Sequence, residues 1–238
     1  MVLVFLVIGT GGILTACQRN PTPVPVCIST NTPTPGPPPE QVFNGYHLIL
    51  ACGLDTDCPS EACSYAGQVP LQPLRDLFVA RGGGYTYLGD QTALSTTPGS
   101  TGVYAHQIVT EMDAHTGDKG IFLVGHSRGA TAAVWAVSIS SHSNLKAIAI
   151  LDSYLLDDSE KDNIQRCGVG GNYDGGCVSD GKEVASRIPI FMGRSNERDP
   201  NILFPQNPDK NYPVGHIALA TDNTVANDIL QFFITYAR

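Results

Sequence analysis

The pentapeptide Gly125-His126-Ser127-Arg128-Gly129 sets a serine between glycines two residues to either side. The apolar run Ile121-Phe122-Leu123-Val124 precedes it and a run of small residues, 130–137, follows it. That order predicts a strand, a tight turn and a helix, with the serine at the tip. On such a turn the serine backbone is strained and its hydroxyl stands clear above the sheet. The flanking glycines are required because strand and helix approach too closely for a Cβ. The start of the following helix aims free N–H groups at any oxyanion formed beside Ser127.

A serine hydroxyl becomes a nucleophile only when a base takes its proton, and a neutral imidazole does this near neutral pH. The chain has six histidines. His47 lies in a strand, His106 and His115 on a helix, and His142 near a helix end. His126 adjoins the serine, where the sharp turn is expected to point its ring away from the hydroxyl. His216, in a Gly-His step late in the chain, fits the order serine, acid, histidine and is the expected base. The acid must hold the imidazole tautomer and stabilise its charged form. Asp199 ranks first, Glu197 second and Asp152, at the end of the strand after the serine turn, third. The oxyanion donors are expected to be the N–H of Arg128 and, from the turn after the first strand, that of Leu54.

The elements needed to bring these residues together follow from periodicity. Strands are expected at 46–51, 85–88, 121–124, 145–151 and 188–192. Helices are expected at 69–80, 103–115, from the serine turn to about 140, and 224–236, with Val103, Ile108, Val109 and Met112 as the apolar face of the second. The glycines at 82–84 close the first helix. Residues 155–187 are polar and Gly-rich and suit a loop over the site. Alternating strands and helices imply a parallel sheet covered on both faces, with its site beyond the carboxyl ends of the strands.

Residues 46–236 resemble the α/β-hydrolase superfamily, nearest in layout to its small lipases and cutinases. The resemblance rests on the Ser127 pentapeptide, on Tyr212-Pro213-Val214-Gly215-His216-Ile217 and on Asp199-Pro200. It implies a minimal, mostly parallel sheet of about six strands with helices on both faces. It also implies a Ser-His-Asp triad that hydrolyses carboxylic esters through an acyl-enzyme, without a cofactor or metal. Cys52-Gly53 stands where the family more usually has His-Gly. Rival readings are an acyltransferase or peptidase on the same triad, or a tethered binding module that does not turn over. Tyr154, Tyr173, Phe204 and Tyr212 are candidates to line a cleft.

The chain of 238 residues has room for one domain-sized core, expected at 45–238. Its net charge of −8 disfavours nucleic acid and anionic membrane surfaces as partners. A monomer acting on a small-molecule, lipid or polyester ester is expected. Residues 1–17 combine a short apolar run with Leu14-Thr15-Ala16-Cys17, which resembles the lipobox of bacterial lipoproteins. In that family the cysteine is lipidated, which implies an extracytoplasmic chain anchored at Cys17 or secreted. Residues 18–44 carry eight prolines and read as an extended spacer. Six further cysteines, Cys27, Cys52, Cys58, Cys63, Cys167 and Cys177, fit an exported chain with disulfides. Cys167 with Cys177 is the preferred pair, and a disulfide among Cys52, Cys58 and Cys63 would stiffen the oxyanion turn. Asn172, Asp174, Asp180 and Glu183 approach calcium-loop spacing, but Cys177 takes the place of the required glycine.

Overall fold

The computed structural model describes residues 40–53, 69–89, 100–154, 188–197 and 208–237, with the strand backbone at 5–6, 14–18, 26–30 and 202–204. Two compact units divide the chain at residue 39. In the first, β1 (Phe5–Leu6), β2 (Leu14–Gln18) and β3 (Val26–Thr30) pair antiparallel in that order, within the segments read as lipobox and spacer.

The second unit is built on a six-stranded, all-parallel sheet. Its members in chain order are β4 (Tyr46–Ala51), β5 (Gly84–Leu88), β6 (Gly120–His126), β7 (Leu145–Leu151), β9 (Ile190–Ser195) and β11 (Lys210–Tyr212). In space they run β11-β9-β7-β6-β4-β5. A short antiparallel pair, β8 (Ser153–Tyr154) with β10 (Ile202–Phe204), stands beside it in sequence but outside the sheet. The helices are α1 (Gln72–Val79), α2 (Ser100–Ala114), α3 (Arg128–Ile139), the single turn α4 (His216–Leu219) and α5 (Asn223–Tyr236). Among the described residues, no helix is long and apolar enough to cross a membrane.

Continuous apolar strands are what a sheet buried on both faces requires, and the period of two divides their side chains cleanly. Leu48 and Leu50 of β4, Phe122 and Val124 of β6, and Ala147 and Ala149 of β7 join one core with α1 and α5. Ile49, Leu123, Ile148 and Ile150 face the other way, into a core closed by α2 and α3. The small residues of α3, buried along nearly its whole length, let that helix lie close on the central strands. The sheet of about six strands with helices on both faces is thus present, and β4 and β7 have the expected bounds.

Four details differ from the sequence expectations. Helix α1 begins at Gln72, three residues late, because Leu71 takes a left-handed conformation (φ 60°) and Pro73 opens the first turn. Helix α2 begins at Ser100 and is rotated so that Tyr104, Ala105, Ile108 and Met112 are buried while Val103 is 52 % exposed. β9 starts after Pro189 and runs on through Arg194 and Ser195, because it pairs with β11 as well as β7. β11 itself is a polar edge strand, Lys-Asn-Tyr, without an apolar pattern to announce it.

Candidate active site

The strand–turn–helix around Ser127 forms as its sequence requires. Ser127 has φ 58° and ψ −128°, a conformation costly for a residue with a Cβ. It is held there by its N–H bond to Leu151 O (3.0 Å) and by the bond from Ala130 N to Ser127 O (3.0 Å). The need for glycine on both sides is steric. A Cβ at Gly125 would lie 2.5 Å from Ala130 Cα, and one at Gly129 would lie 2.2 Å from Ala51 O. Ser127 Oγ makes no hydrogen bond to any described residue.

The turn after β4 passes directly over this serine: a Cβ at Gly53 would meet Ser127 Cβ at 2.3 Å and Oγ at 2.7 Å. A side chain in place of Gly53 would therefore collide with Ser127. Tyr104 secures the turn from below, its hydroxyl 2.7 Å from Leu88 O and 3.0 Å from Cys52 O. Leu54, the expected second oxyanion donor, lies outside the described residues. Arg128 is the first residue of α3, and its N–H has no helical acceptor. Its side chain turns inward, 1 % exposed, with Nε donating to Thr101 Oγ1 at 3.0 Å.

Asp152 is the first residue beyond β7, as Ser127 is the first beyond β6, and the two strands pair with His126 opposite Leu151. Asp152 is fully buried and also takes a positive φ, 40°. Its Oδ1 accepts from Ser195 N (3.0 Å) and its Oδ2 lies 3.1 Å from His216 Nδ1. Burial alone would raise its pKa, but the hydrogen bonds from His216 and Ser195 outweigh it and hold the carboxyl below its usual range. Among the described residues, this buried carboxylate, ranked third from sequence, is the one that lies against the His216 ring. Asp199, ranked first, lies outside the described residues. Glu197 is exposed, and its Oε2 accepts the backbone N–H of His216 (2.6 Å) rather than a ring proton.

His216 opens α4 and is thus fixed at three points: backbone N–H on Glu197, ring on Asp152, and carbonyl on His126. The last contact is the one sequence reasoning missed. His126 Nε2 is 2.9 Å from His216 O, and the two rings lie 4.7 Å apart. The His126 ring therefore packs against His216. Burial first, then the neighbouring His216, pushes the His126 pKa down to about 4, so it is neutral at ordinary pH. A neutral ring has one N–H, and the bond to His216 O requires it on Nε2.

Two other expectations change. Cys52 carries a free, buried thiol facing Pro70 O (3.9 Å), so it forms no disulfide with Cys58 or Cys63. Burial pushes that thiol up to about 12, leaving it un-ionised and inert. Tyr212, a candidate to line a cleft, is buried, and its hydroxyl donates to Asp228 Oδ2 (2.8 Å). Cys58, Cys63, Cys167, Cys177, Tyr173 and the residues 172–183 weighed for calcium lie outside the described residues, as do the side chains of Cys27, Tyr154 and Phe204. The arrangement as a whole offers a free hydroxyl, an imidazole oriented by a desolvated carboxylate, and a helix N-terminus beside them. Those are the components of acyl transfer.

No family model matches the sequence, nor does any curated protein. Solved structures do match. An α/β-superfamily hydrolase structure from Xanthomonas campestris pv. campestris aligns with a TM-score of 0.51 at 13 % identity, over 81 % of this chain and 99 % of its own. An α/β hydrolase from the metagenome of lagoon sediments of Mar Chica, Morocco, aligns with a TM-score of 0.49 at 16 % identity, over 81 % and 92 %. A lipase-esterase related protein from Clostridium acetobutylicum gives 0.48 and 13 %, over 81 % and 96 %.

Proposed function

We propose that this chain, which has the α/β-hydrolase fold, is a serine hydrolase cleaving carboxylic esters, with Ser127 as nucleophile, His216 as general base and Asp152 as the acid that orients it. The observation that carries this reading is the 3.1 Å bond between His216 Nδ1 and a wholly buried Asp152. It places the proton of the neutral ring on Nδ1, which makes Nε2 the basic nitrogen in this reading.

In the proposed reaction, Ser127 Oγ attacks the ester carbonyl carbon as its proton passes to His216 Nε2. Transfer needs the two atoms within about 2.6–3.2 Å, a contact that such sites often tighten only with substrate in place. Asp152 stabilises the imidazolium that forms, without taking the proton itself. The N–H of Arg128 and a donor from the turn after β4, Leu54 in the expectation above, bind the oxyanion. His216 then protonates the departing alkoxide; water, deprotonated by the same ring, attacks the acyl carbon, the bond to Ser127 Oγ breaks, and His216 returns the proton to that oxygen as the acid leaves. Neutral His126 donates to the carbonyl of His216, which adds no positive charge next to the imidazolium.

Hydrolysis of p-nitrophenyl esters of increasing acyl length tests this. Turnover of at least one ester that vanishes in Ser127→Ala, with the circular dichroism spectrum unchanged, is the expected result; equal turnover in the variant rejects the assignment. The chain is further proposed to act outside the cytoplasm, tethered through lipidated Cys17. Incorporation of labelled fatty acid that is lost in Cys17→Ala checks that proposal.

A further inference from the structure

A second set of ionisable side chains gathers at the opposite end of the sheet. His47 is four residues before Ala51 on β4, so at about 3.3 Å per residue it sits roughly 13 Å from the serine end. His115 follows directly on α2, and Asp118 lies in the turn that leads into β6. A nitrogen from each ring and a carboxylate oxygen of Asp118 all fall within 4.8 Å of one another.

The hydrogen bonds sort the ring nitrogens into two kinds. His47 Nε2 is 2.9 Å from Thr86 Oγ1 on β5, and His115 Nε2 is 3.0 Å from Glu111 Oε1, one turn back on α2. Both Nδ1 atoms instead face one carboxylate. Asp118 Oδ2 is 2.8 Å from His115 Nδ1 and 3.8 Å from His47 Nδ1. The rings stack with centroids 3.4 Å apart and planes 19° from parallel. Histidines that bind metal characteristically donate their remote N–H to a carboxylate or another oxygen, which fixes the tautomer and turns the other nitrogen to the ion. Here both remote nitrogens have such a partner.

We propose that His47 Nδ1, His115 Nδ1 and the Asp118 carboxylate bind one zinc-class divalent ion, with Glu111 and Thr86 as the outer partners that orient the rings. Two imidazoles and one carboxylate favour such an ion over calcium or magnesium, which prefer oxygen alone. Ligand atoms on a tetrahedral zinc stand about 3.3–3.5 Å apart. The trio therefore needs to close by about an ångström, a movement that half-exposed Asp118 can supply. The adjacent cation, Lys119, is drawn off over the Tyr46 ring at 4.8 Å.

The turn carrying Asp118 is already fixed by bonds from Lys119 N to Gly45 O (2.8 Å) and from Asn144 Nδ2 to His115 O (2.9 Å). An ion there would tie β4, α2 and the turn into β6 together, with β5 held through Thr86. Its role is structural rather than chemical.

Titration of the full chain with zinc ion, and with cobalt ion as a spectroscopic stand-in, tests the proposal. One equivalent should bind, and at about 100 times its Kd it should raise Tm by about 5–10 °C. Affinity should fall about 100-fold or more in His115→Gln and in Asp118→Asn, and about 10–100-fold in Glu111→Gln. Both first positions are partly exposed, so these variants remain informative if His47→Gln does not fold. The cobalt spectrum should lack a thiolate charge-transfer band, which separates this site from the cysteines. Failure of zinc to raise Tm, binding that survives in both His115→Gln and Asp118→Asn, or a spectrum dominated by thiolate would each overturn it.

Discussion

Each end of the parallel sheet holds a histidine against a carboxylate, and the two ends are built differently. At the carboxyl end the acceptor, Asp152, is wholly buried, and both Ser127 and Asp152 have positive φ. At the amino end, Asp118 and Glu111 are partly exposed, and none of the four clustered residues takes a positive φ. Desolvation strengthens an ion pair's field, and strain persists only where surrounding structure over-determines it. The carboxyl end therefore has the marks of a site preorganised for changing charge. The amino end, with two nitrogens turned to one oxygen and no strain, has those of a site that holds a fixed charge.

Removing the proposed nucleophile should break this contrast most severely. Ser127→Ala is expected to lower kcat/KM for esters by about 10⁵-fold or more while leaving Tm within a few degrees. His115→Gln, at the other end, should change kcat/KM less than about threefold, since its interactions stop roughly 13 Å short of the chemistry. A large loss in that variant would mean the two ends are coupled.

The carboxylates sharpen the comparison next. Asp152→Asn should cost about 10⁴-fold in kcat, because an amide favours the wrong imidazole tautomer. Glu197→Gln should cost about tenfold or less, since an amide oxygen can still accept the backbone N–H of His216. If Asp199→Asn proved more damaging than Asp152→Asn, the acid would have to be reassigned.

The ranking of those carboxylates shows what sequence could reveal. Ser127 was legible because its constraint is local: two glycines, an apolar strand before and small residues after decide the turn. The ends of β4 and β7 were legible for a similar reason, since unbroken apolar runs fit only a sheet buried on both faces. The partner of His216 is 64 residues away, at the tip of a neighbouring strand, and chain order alone favoured the nearer Asp199. The usable signal for Asp152 was its position, directly after the apolar strand that follows the serine turn. Two further features carried no such signal. Three polar residues gave no period to mark β11, and the contacts that make His126 a support for His216 are entirely tertiary.

Smaller effects should appear in stability. His126 is lowered from 6.5 to about 4, so between those values the unfolded chain takes up a proton that the native chain refuses. Stability must then fall as pH is lowered through that window, by on the order of 3 kcal/mol in all. Asp152 adds a second loss further down. Its folded pKa is depressed, so its contribution is full above the ordinary carboxylate range and disappears as pH falls through the lowered value. Chemical unfolding from pH 7 to 4 should show the first slope, and His126→Asn should flatten it. A slope unchanged in that variant would contradict the buried, neutral assignment.

Packing provides the smallest test. Gly129→Ala puts a methyl 2.2 Å from a backbone oxygen and should cost about 1–3 kcal/mol, whereas Gly117→Ala meets nothing within 4 Å and should be nearly neutral. Equal Tm values for the two variants would contradict the close approach of α3 to β4.

The most direct measurement on the carboxyl end is labelling with a fluorophosphonate, followed by peptide mapping. The account predicts a single adduct, on Ser127, formed at a rate that drops by at least about 10³-fold in both His216→Ala and Asp152→Asn. Labelling of a different residue, or labelling of Ser127 at an undiminished rate in those variants, would contradict it.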